Sequence, residues 1–382
     1  MLPAGAAAAS APYDYPVDPG TAAWFAFTTH EQMVSATQIP TTVLGGMSTH
    51  DLVTTVLDYP LFMDRLAFNS PQQGIDVMAS RFNGIGALFG RPDAATTLLD
   101  LYGTLVAEAP AGSAALVDPV HAERIVEVET LLAQLPMLDQ LDAAQRLDAV
   151  ITVAQDRLRA VQAEPTFYGP SGEESPLLLA GRAWYTLSNA SYDQSNFLST
   201  GLAAAATVLE DVEMAVAARV VVPDVTLAAR ERDYNSTVRT PNGTSVLVIV
   251  MTYEFSSQDI AKANRYVEAT YPHAVRETDA SRRYNCHSYA WFAQSTSNVR
   301  WMNSPGDDQY WGDGSYLLWH PPLVTKYNTR WSYANGDHSA LRFENTGKTV
   351  HSKWGTLPRM RHDYLYSPYT DTHEDLYYRA GT

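Results

Sequence analysis

The stretch Arg283-Tyr284-Asn285-Cys286-His287-Ser288-Tyr289-Ala290-Trp291 determines how the rest of the chain is interpreted, because it holds the only cysteine among 382 residues. A disulfide within the chain needs a second cysteine, and a thiolate-based structural metal site needs several. Cys286 is therefore either a small buried side chain or a nucleophile. Asn285 is a good N-cap and residues 288–294 can be helical, which would place the thiol in the first turn of a helix.

Two histidines follow on predicted strands. His338 lies at the start of a strand in the segment DHSALRF, and His351 lies on the returning strand TVHS, after a turn near Gly347. A helix N-terminus and an adjacent imidazolium lower the pKa of a thiol, and backbone N–H groups there can stabilise an oxyanion. We predict Cys286 as the nucleophile and His338 as the base. The hairpin is expected to bring His351 back beside His338, where it would orient the imidazole.

The order of these segments resembles the bacterial cell-wall cysteine peptidases of the NlpC type, which have a papain-like fold. Those enzymes carry a D-C-S-G box, then H-V-G-I-Y-I, a glycine turn and an I-H-A/S segment, whereas this chain has NCHS, HSALRF and TVHS within residues 280–356. The resemblance implies the same roles for Cys286, His338 and His351, and it places Tyr284 at the site. Residues 322–327 stand where the family has a G-D-L-V-F-F strand. The NCHSYAW box and a helical N-terminal half also resemble uncharacterised bacterial amidase-like proteins.

Other polar residues near the motif have alternative interpretations. His287 adjoins the thiol in the chain but would project elsewhere from a helix, so we expect it to be a packing or substrate contact. Ser352 alternates to the other face of its strand, and Glu344 or His362 could replace His351 as the orienting residue. Three acidic residues near position 310 offer carboxylates for calcium, but their spacing differs from that of an EF-hand, which favours a solvated loop. These residues are Asp307, Asp308 and Asp313.

Aromatic residues are frequent in the last hundred positions, and they are expected to form either a substrate groove or a core. We favour a core for most of them and assign Trp311 to substrate binding, together with Tyr284 and His287. The members of this group are Trp301, Tyr310, Trp311, Tyr316, Trp319 and Trp331.

The hydrophobic pattern predicts an α+β protein in three parts. These parts are a flexible segment over residues 1–20, a helical domain over 21–219, and a papain-like cysteine hydrolase domain with an antiparallel sheet over 220–382. Helical spacing of apolar residues predicts helices over 120–135, 142–163 and 201–218, and Ser48 is predicted as an N-cap.

A hairpin is predicted where Asn242-Gly243 separates two strand patterns. The second of these strands, residues 245–251, is apolar throughout and is expected to be covered on both faces.

The charge and composition of the chain limit the kinds of partner that it can bind. The formal net charge of −16 argues against nucleic acid or an anionic membrane surface as the main partner, because phosphates would be repelled. The sequence contains no run of about 18 apolar residues, so no membrane span is predicted. The start of the chain lacks the pattern of a signal peptide, and its alanine- and proline-rich composition is typical of an exported mature protein or of a disordered tail. No cofactor is expected.

These observations predict a secreted or cell-envelope cysteine hydrolase that cleaves amide bonds through a thioester, with peptidoglycan peptides as the substrate that the resemblance implies. Two alternatives stay open. One is a protease or transglutaminase-like acyl transferase that acts on protein, and the other is a secreted binding or toxin-like protein in which the papain-like domain is a scaffold. The sequence does not indicate an oligomeric state.

Overall fold

The computed structural model describes residues 11–108, 119–153, 157, 174–188, 233–319, 329–333, 338–342, 348–369 and 374–379. Within them the N-terminal part is helical and the C-terminal part contains antiparallel strands, which confirms the α+β class. The predicted helix over 201–218, the boundary at 219/220, the turn near Gly347 and the strand over 322–327 lie outside the described residues.

The helices are α1 His30–Ala36, α2 Thr41–Gly46, α3 Thr49–Leu57, α4 Pro71–Arg81, α5 Asn83–Phe89, α6 Ala94–Glu108, α7 Pro119–Leu132, α8 Leu135–Leu138, α9 Ala143–Thr152, α10 Glu174–Ser188, α11 Ser257–Thr270 and α12 Gln309–Gly312. Short 3₁₀ helices lie at Trp24–Ala26 and Phe62–Ala67, and a π-helical turn lies at Ser288–Phe292. No helix among those described is long and apolar enough to cross a membrane.

Side-chain caps fix where several helices begin. Ser48 accepts a hydrogen bond from the backbone N–H of Asp51 at 3.1 Å, which confirms it as the N-cap of α3. Ser70 caps α4, whose first residue is a proline that has no N–H to satisfy, and Ser256 caps α11. The predicted helix over 120–135 is confirmed as α7, while the one over 142–163 is described only as far as α9.

The strands form two antiparallel sheets. They are β1 Tyr234–Arg239, β2 Ser245–Val250, β3 Val275–Arg276, β4 Arg300–Trp301, β5 Tyr316–Leu318, β6 Thr329–Tyr333, β7 Ser339–Arg342, β8 Thr349–Lys353, β9 Arg359–Asp363 and β10 Glu374–Arg379. The small sheet has the order β1-β2-β4, and the large sheet has the order β3-β9-β8-β7-β6-β10-β5. The predicted hairpin is confirmed as β1 and β2, with Gly243 at φ 95° in its turn. The expectation that both faces of β2 are covered is wrong, because Leu247 is 64% exposed.

One large core joins the two predicted domains. Trp24 is fully buried and donates its indole N–H to the carbonyl oxygen of Thr270 at 2.8 Å. Tyr271 and Trp354 meet edge to face in the same core, with ring centroids 4.8 Å apart. Residues from both sides of position 220 therefore share one hydrophobic interior.

Two residues of the predicted flexible segment over residues 1–20 contact α3. The side chain of Tyr15 is buried, and its hydroxyl donates to the carbonyl oxygen of Thr55 at 2.9 Å. The backbone N–H of Tyr13 donates to the hydroxyl of Thr55 at 2.8 Å.

Alternation along β7 separates the large core from a smaller one. Ala340 belongs to the large core on one face of the sheet, together with Tyr333. Leu341 belongs to the smaller core on the other face, together with Tyr284 and Trp291. Successive residues of a strand point to opposite faces of the sheet. Two neighbouring residues at the start of β7 therefore face different cores.

Candidate active site around Cys286

Asn285 anchors the backbone at the cysteine. Its Oδ1 accepts from the backbone N–H groups of Ser288 at 3.2 Å and Met302 at 3.1 Å, and its Nδ2 donates to the carbonyl oxygen of Met302 at 2.6 Å. The bond to Ser288 confirms Asn285 as an N-cap. The remaining N–H of Nδ2 donates to Oδ1 of Asn69 at 2.8 Å, so a residue from the helical part of the chain reaches the site.

The Cys286 thiol is fully buried. Its Sγ lies 3.9 Å from Oδ1 of Asn69. The sulfur also acts electrostatically on His287 and on Lys353. The buried thiol thus has a polar neighbour in the Asn69 amide.

His287 lies at the centre of this group, although we expected it to project elsewhere. Its Nδ1 lies 2.9 Å from Oδ2 of Asp307 and 2.8 Å from Oγ of Ser339, and its Nε2 lies 2.9 Å from Nδ2 of Asn69. Ser339 also accepts from the indole N–H of Trp291 at 2.9 Å. The fully buried imidazole is thus held from both sides by protein groups.

The hydrogen bonds specify the tautomer of His287. The backbone of Met302 fixes the orientation of the Asn285 amide, so that its Nδ2 faces Asn69 as a donor. The atom of Asn69 that accepts this hydrogen bond must therefore be its oxygen. The Nδ2 donor of Asn69 then faces Nε2 of His287, which has to be an acceptor. His287 therefore carries its proton on Nδ1 and donates it toward Asp307, the arrangement in which a carboxylate orients a basic imidazole.

The charge of Asp307 favours the protonated form of the His287 imidazole. Burial alone lowers the pKa of an imidazole, but here the carboxylate of Asp307 and then the sulfur of Cys286 outweigh burial and raise the pKa of His287 well above its ordinary value. A base of this kind beside a thiol can accept the thiol proton.

His338 is placed at the start of β7, as predicted, but it faces the other core. Its ring stacks on Tyr369 with centroids 3.5 Å apart and meets Tyr333 edge to face at 4.9 Å. Both ring nitrogens are buried and have no hydrogen-bond partner among the described residues. Burial, followed by His362 and His287, lowers the pKa of His338 well below its ordinary value. Ser339, one residue later, occupies the face that we assigned to His338.

His351 is not brought beside His338, and this part of the prediction is wrong. In the register of the sheet it pairs with Leu341, on the face opposite to His338. Its Nδ1 lies 2.8 Å from Oε1 of Glu277, whose Oε2 accepts from Arg359 at 3.1 Å. Within the described residues, no hydrogen bond joins Cys286 to His338 or to His351.

The other two candidate substrate contacts have structural partners. Tyr284 is buried, and the ammonium of Lys353 lies 5.3 Å from its ring centroid. Trp311 is partly exposed and stacks on Tyr377 with centroids 4.8 Å apart. The other aromatic residues named above are buried in the described structure, except Trp319, so the expectation of an aromatic core is confirmed for most of them.

Asp307 is the residue whose role we misjudged most. We expected a solvated loop, but its side chain is almost fully buried against His287. Its second oxygen, Oδ1, is buried and has no partner among the described residues. No cluster of three metal-ligating side chains exists within the described residues, so the calcium alternative has no support there. The only signal in the sequence was a pair of acidic residues among aromatic ones.

Comparisons with family models, with curated proteins and with solved structures found no match to this chain.

Proposed function

We propose that the protein is a cysteine hydrolase that cleaves amide bonds through a thioester, with Cys286 as the nucleophile and His287 as the base. The observation that supports this proposal is the buried cluster around Cys286, in which Nδ1 of His287 lies 2.9 Å from Oδ2 of Asp307 and one amide, that of Asn69, lies 2.9 Å from Nε2 of His287 and 3.9 Å from the sulfur. These three residue types in this order are those of an activated thiol. The base is thus reassigned from His338 to His287.

The reaction follows from these positions. His287 accepts the proton of the Cys286 thiol on Nε2, and the sulfur attacks the carbonyl carbon of the amide. The C–N bond then breaks, and the amine leaves with the proton that His287 returns. Water attacks the thioester, His287 accepts a proton from it, and the carboxylic acid departs as the thiol is restored. Asp307 holds Nδ1–H throughout, so that only Nε2 exchanges protons.

Peptides of the bacterial cell wall are the substrate class that we propose, together with a location outside the cytoplasm. This part rests on the resemblance to NlpC-type enzymes over residues 280–356. The partly exposed Trp311, which follows Asp307 closely in the chain, is compatible with contact to a peptide or a sugar.

The test is hydrolysis of purified peptidoglycan, followed by mass spectrometry of the released fragments. Cys286→Ala, His287→Ala and Asp307→Asn are each expected to lower the rate by on the order of 10²-fold or more. His273→Ala is the matched control, because His273 is an exposed histidine elsewhere in the fold. His338→Phe keeps the ring that stacks on Tyr369. If it abolishes hydrolysis while His287→Ala does not, the base is His338 and our assignment is refuted.

The complete burial of Cys286 favours a second candidate, a binding protein in which the thiol is only structural. Under that alternative, Cys286→Ala leaves every biological activity unchanged, and the thiol reacts with alkylating reagents only when the protein unfolds. Alkylation of the native protein at a rate that depends on His287 would exclude it.

A further inference from the structure

Asn69 occupies the place next to Cys286 where a substrate amide belongs. Its side chain is a primary carboxamide, and its three side-chain contacts are with Asn285, Cys286 and His287. The carbonyl oxygen accepts from Nδ2 of Asn285 at 2.8 Å and lies 3.9 Å from the sulfur, while the amide nitrogen lies 2.9 Å from Nε2 of His287.

The contacts with Asn285 and His287 have counterparts in the reaction. A donor at about 2.7–3.1 Å from the carbonyl oxygen is what an oxyanion requires, and Asn285 is fixed in that position by the backbone of Met302. The nitrogen of the amide faces Nε2 of His287, the atom that would return a proton to a leaving amine. The same cluster contains Oδ1 of the buried Asp307, which has no hydrogen-bond partner among the described residues. The cluster therefore holds more polar atoms than its hydrogen bonds among those residues satisfy.

The segment that carries Asn69, residues 66–70, is clamped to the turn after β8. The backbone N–H and the hydroxyl of Thr356 both donate to the carbonyl oxygen of Leu66, at 2.9 and 3.2 Å, and Tyr369 donates to the carbonyl oxygen of Ala67. Gly355 has φ +51° and lies so close that a Cβ there would be 2.4 Å from the carbonyl oxygen of Leu66. These contacts position the Asn69 amide beside Cys286.

Ionisation of the thiol conflicts with this arrangement. If the proton of Cys286 moves to Nε2 of His287, that nitrogen becomes a donor and faces the Nδ2 donor of Asn69. Asn69 must then turn or leave. The hydrogen-bond directions around Asn69 therefore fit the neutral thiol–imidazole pair, whereas Asp307, which raises the pKa of His287, favours the ion pair in which Asn69 has turned or left.

We propose that Asn69 is a built-in substrate mimic, and that the substrate of this site is a carboxamide that takes the place of its amide when the Asn69 side chain turns away. The inference rests on the proposed hydrolase function and specifies its substrate class. The group that it predicts is a primary amide, as in an asparagine or glutamine side chain or an amidated peptide, with Asn285 as the donor to its carbonyl oxygen. Hydrolysis would release ammonia and leave a carboxylic acid.

The experiment uses the full chain with Asn69→Gly, which removes the equivalent of one acetamide. Acetamide is then the probe. Acetamide and water should yield acetate and ammonia at the vacated position. There the thioester forms on Cys286 as the C–N bond breaks, and water then releases the acid. We expect ammonia release at least tenfold above that of the wild-type protein, and its loss in the double variants with Cys286→Ser or His287→Ala.

The matched control is Asn83→Gly, because Asn83 also joins two segments through its amide but lies away from the thiol. Its Nδ2 donates to the carbonyl oxygen of Ile39 at 2.7 Å, and its Oδ1 accepts from the N–H of Ile39 at 3.1 Å. Acetamide should not be hydrolysed by this variant. If Asn69→Gly does not fold, as judged by circular dichroism, Asn69→Ala with formamide as the probe replaces it.

Alkylation of Cys286 by iodoacetamide separates the two proposals. If the thiol of Asn69→Gly reacts in a His287-dependent way but acetamide neither protects it nor is hydrolysed, the substrate mimic is refuted while the activated thiol stands. If acetamide protects the thiol but no ammonia appears, the carboxamide site stands and the hydrolase function fails. If the thiol stays unreactive in the folded variant, Asn69 does not cover it and the inference is refuted.

Discussion

Replacing Gly355 with alanine tests how the helical part of the chain is held over the cysteine. Gly355 follows β8 in the chain and has φ +51°, a conformation that side chains with a Cβ disfavour. A Cβ built there would lie 2.4 Å from the carbonyl oxygen of Leu66 and 2.5 Å from the carbonyl carbon of Ala67. Both are backbone atoms, so the clash cannot be relieved by a rotamer change, and the 66–70 segment has to move.

Three terms give the expected loss of stability. The left-handed conformation costs alanine about 1 kcal/mol, and overpacking against backbone costs about 1–3 kcal/mol. Weakening the bonds from Thr356 to Leu66 adds about 1 kcal/mol. We therefore expect Gly355→Ala to lower the free energy of unfolding by about 3–5 kcal/mol, a large part of the roughly 5–15 kcal/mol typical of a domain.

The assay is urea unfolding followed by tryptophan fluorescence, since Trp24 and Trp354 are both fully buried. Gly243→Ala is the control for conformation alone, because Gly243 has φ +95° and a Cβ added there would meet nothing within 4 Å. The expected loss for this control is about 1 kcal/mol. Gly103→Ala, at an open position in α6, should stabilise by about 0.5–1 kcal/mol. A loss for Gly355→Ala no larger than that for Gly243→Ala would refute the close approach.

Two further predictions concern pH. Burial, as the main cause, lowers the pKa of His362 to about 4, so the unfolded chain binds a proton that the folded chain does not between roughly pH 6.5 and 4. Stability should fall by about 3 kcal/mol as the pH drops through that window, and the fall should be smaller in His362→Gln; equal slopes in urea titrations would contradict this. Burial, and then Glu123, raise the pKa of Glu127 to about 8. The folded state then keeps a proton that the unfolded state loses near its ordinary pKa of 4.5, so stability declines as the pH rises toward 8. Glu127→Gln should therefore gain stability over the wild-type protein at about pH 9 and none at about pH 4, and a difference that is constant with pH would rule out this titration.

Features that depend on neighbours in the chain were predicted from the sequence. The caps at Ser48 and Asn285 and the Asn242-Gly243 hairpin each depend on a few adjacent residues, so local chemistry is sufficient to define them. The unexpected exposure of Leu247 shows the limit of this approach. An apolar run reports hydrophobicity, while the layers that cover a strand are supplied by distant segments.

The site was predicted only at its cysteine, and the physical reasons are geometric. We assigned the base by assuming that His338 begins its strand on the face of the thiol, but that face belongs to Ser339, and a shift of one residue reverses the side of the sheet. Because neighbours on a regular helix diverge, the sequence predicts that His287 projects away from the thiol. Here it is followed by a π-helical turn, and Asp307 and Asn69 approach it from other parts of the chain. Approaches from such distant positions leave no local pattern in the sequence.

The chemistry of the buried cluster argues that it is more than packing. A buried polar group costs stability unless it is hydrogen-bonded, and interiors selected for stability alone satisfy nearly all such groups. Around Cys286 the fold buries a carboxylate and an imidazole, and it leaves Oδ1 of Asp307 without a partner among the described residues. Apolar side chains of similar volume would fill the same space without that cost. A costly polar arrangement beside the cysteine is what a reactive thiol requires, so the cluster supports the proposed hydrolase over a thiol that is only structural.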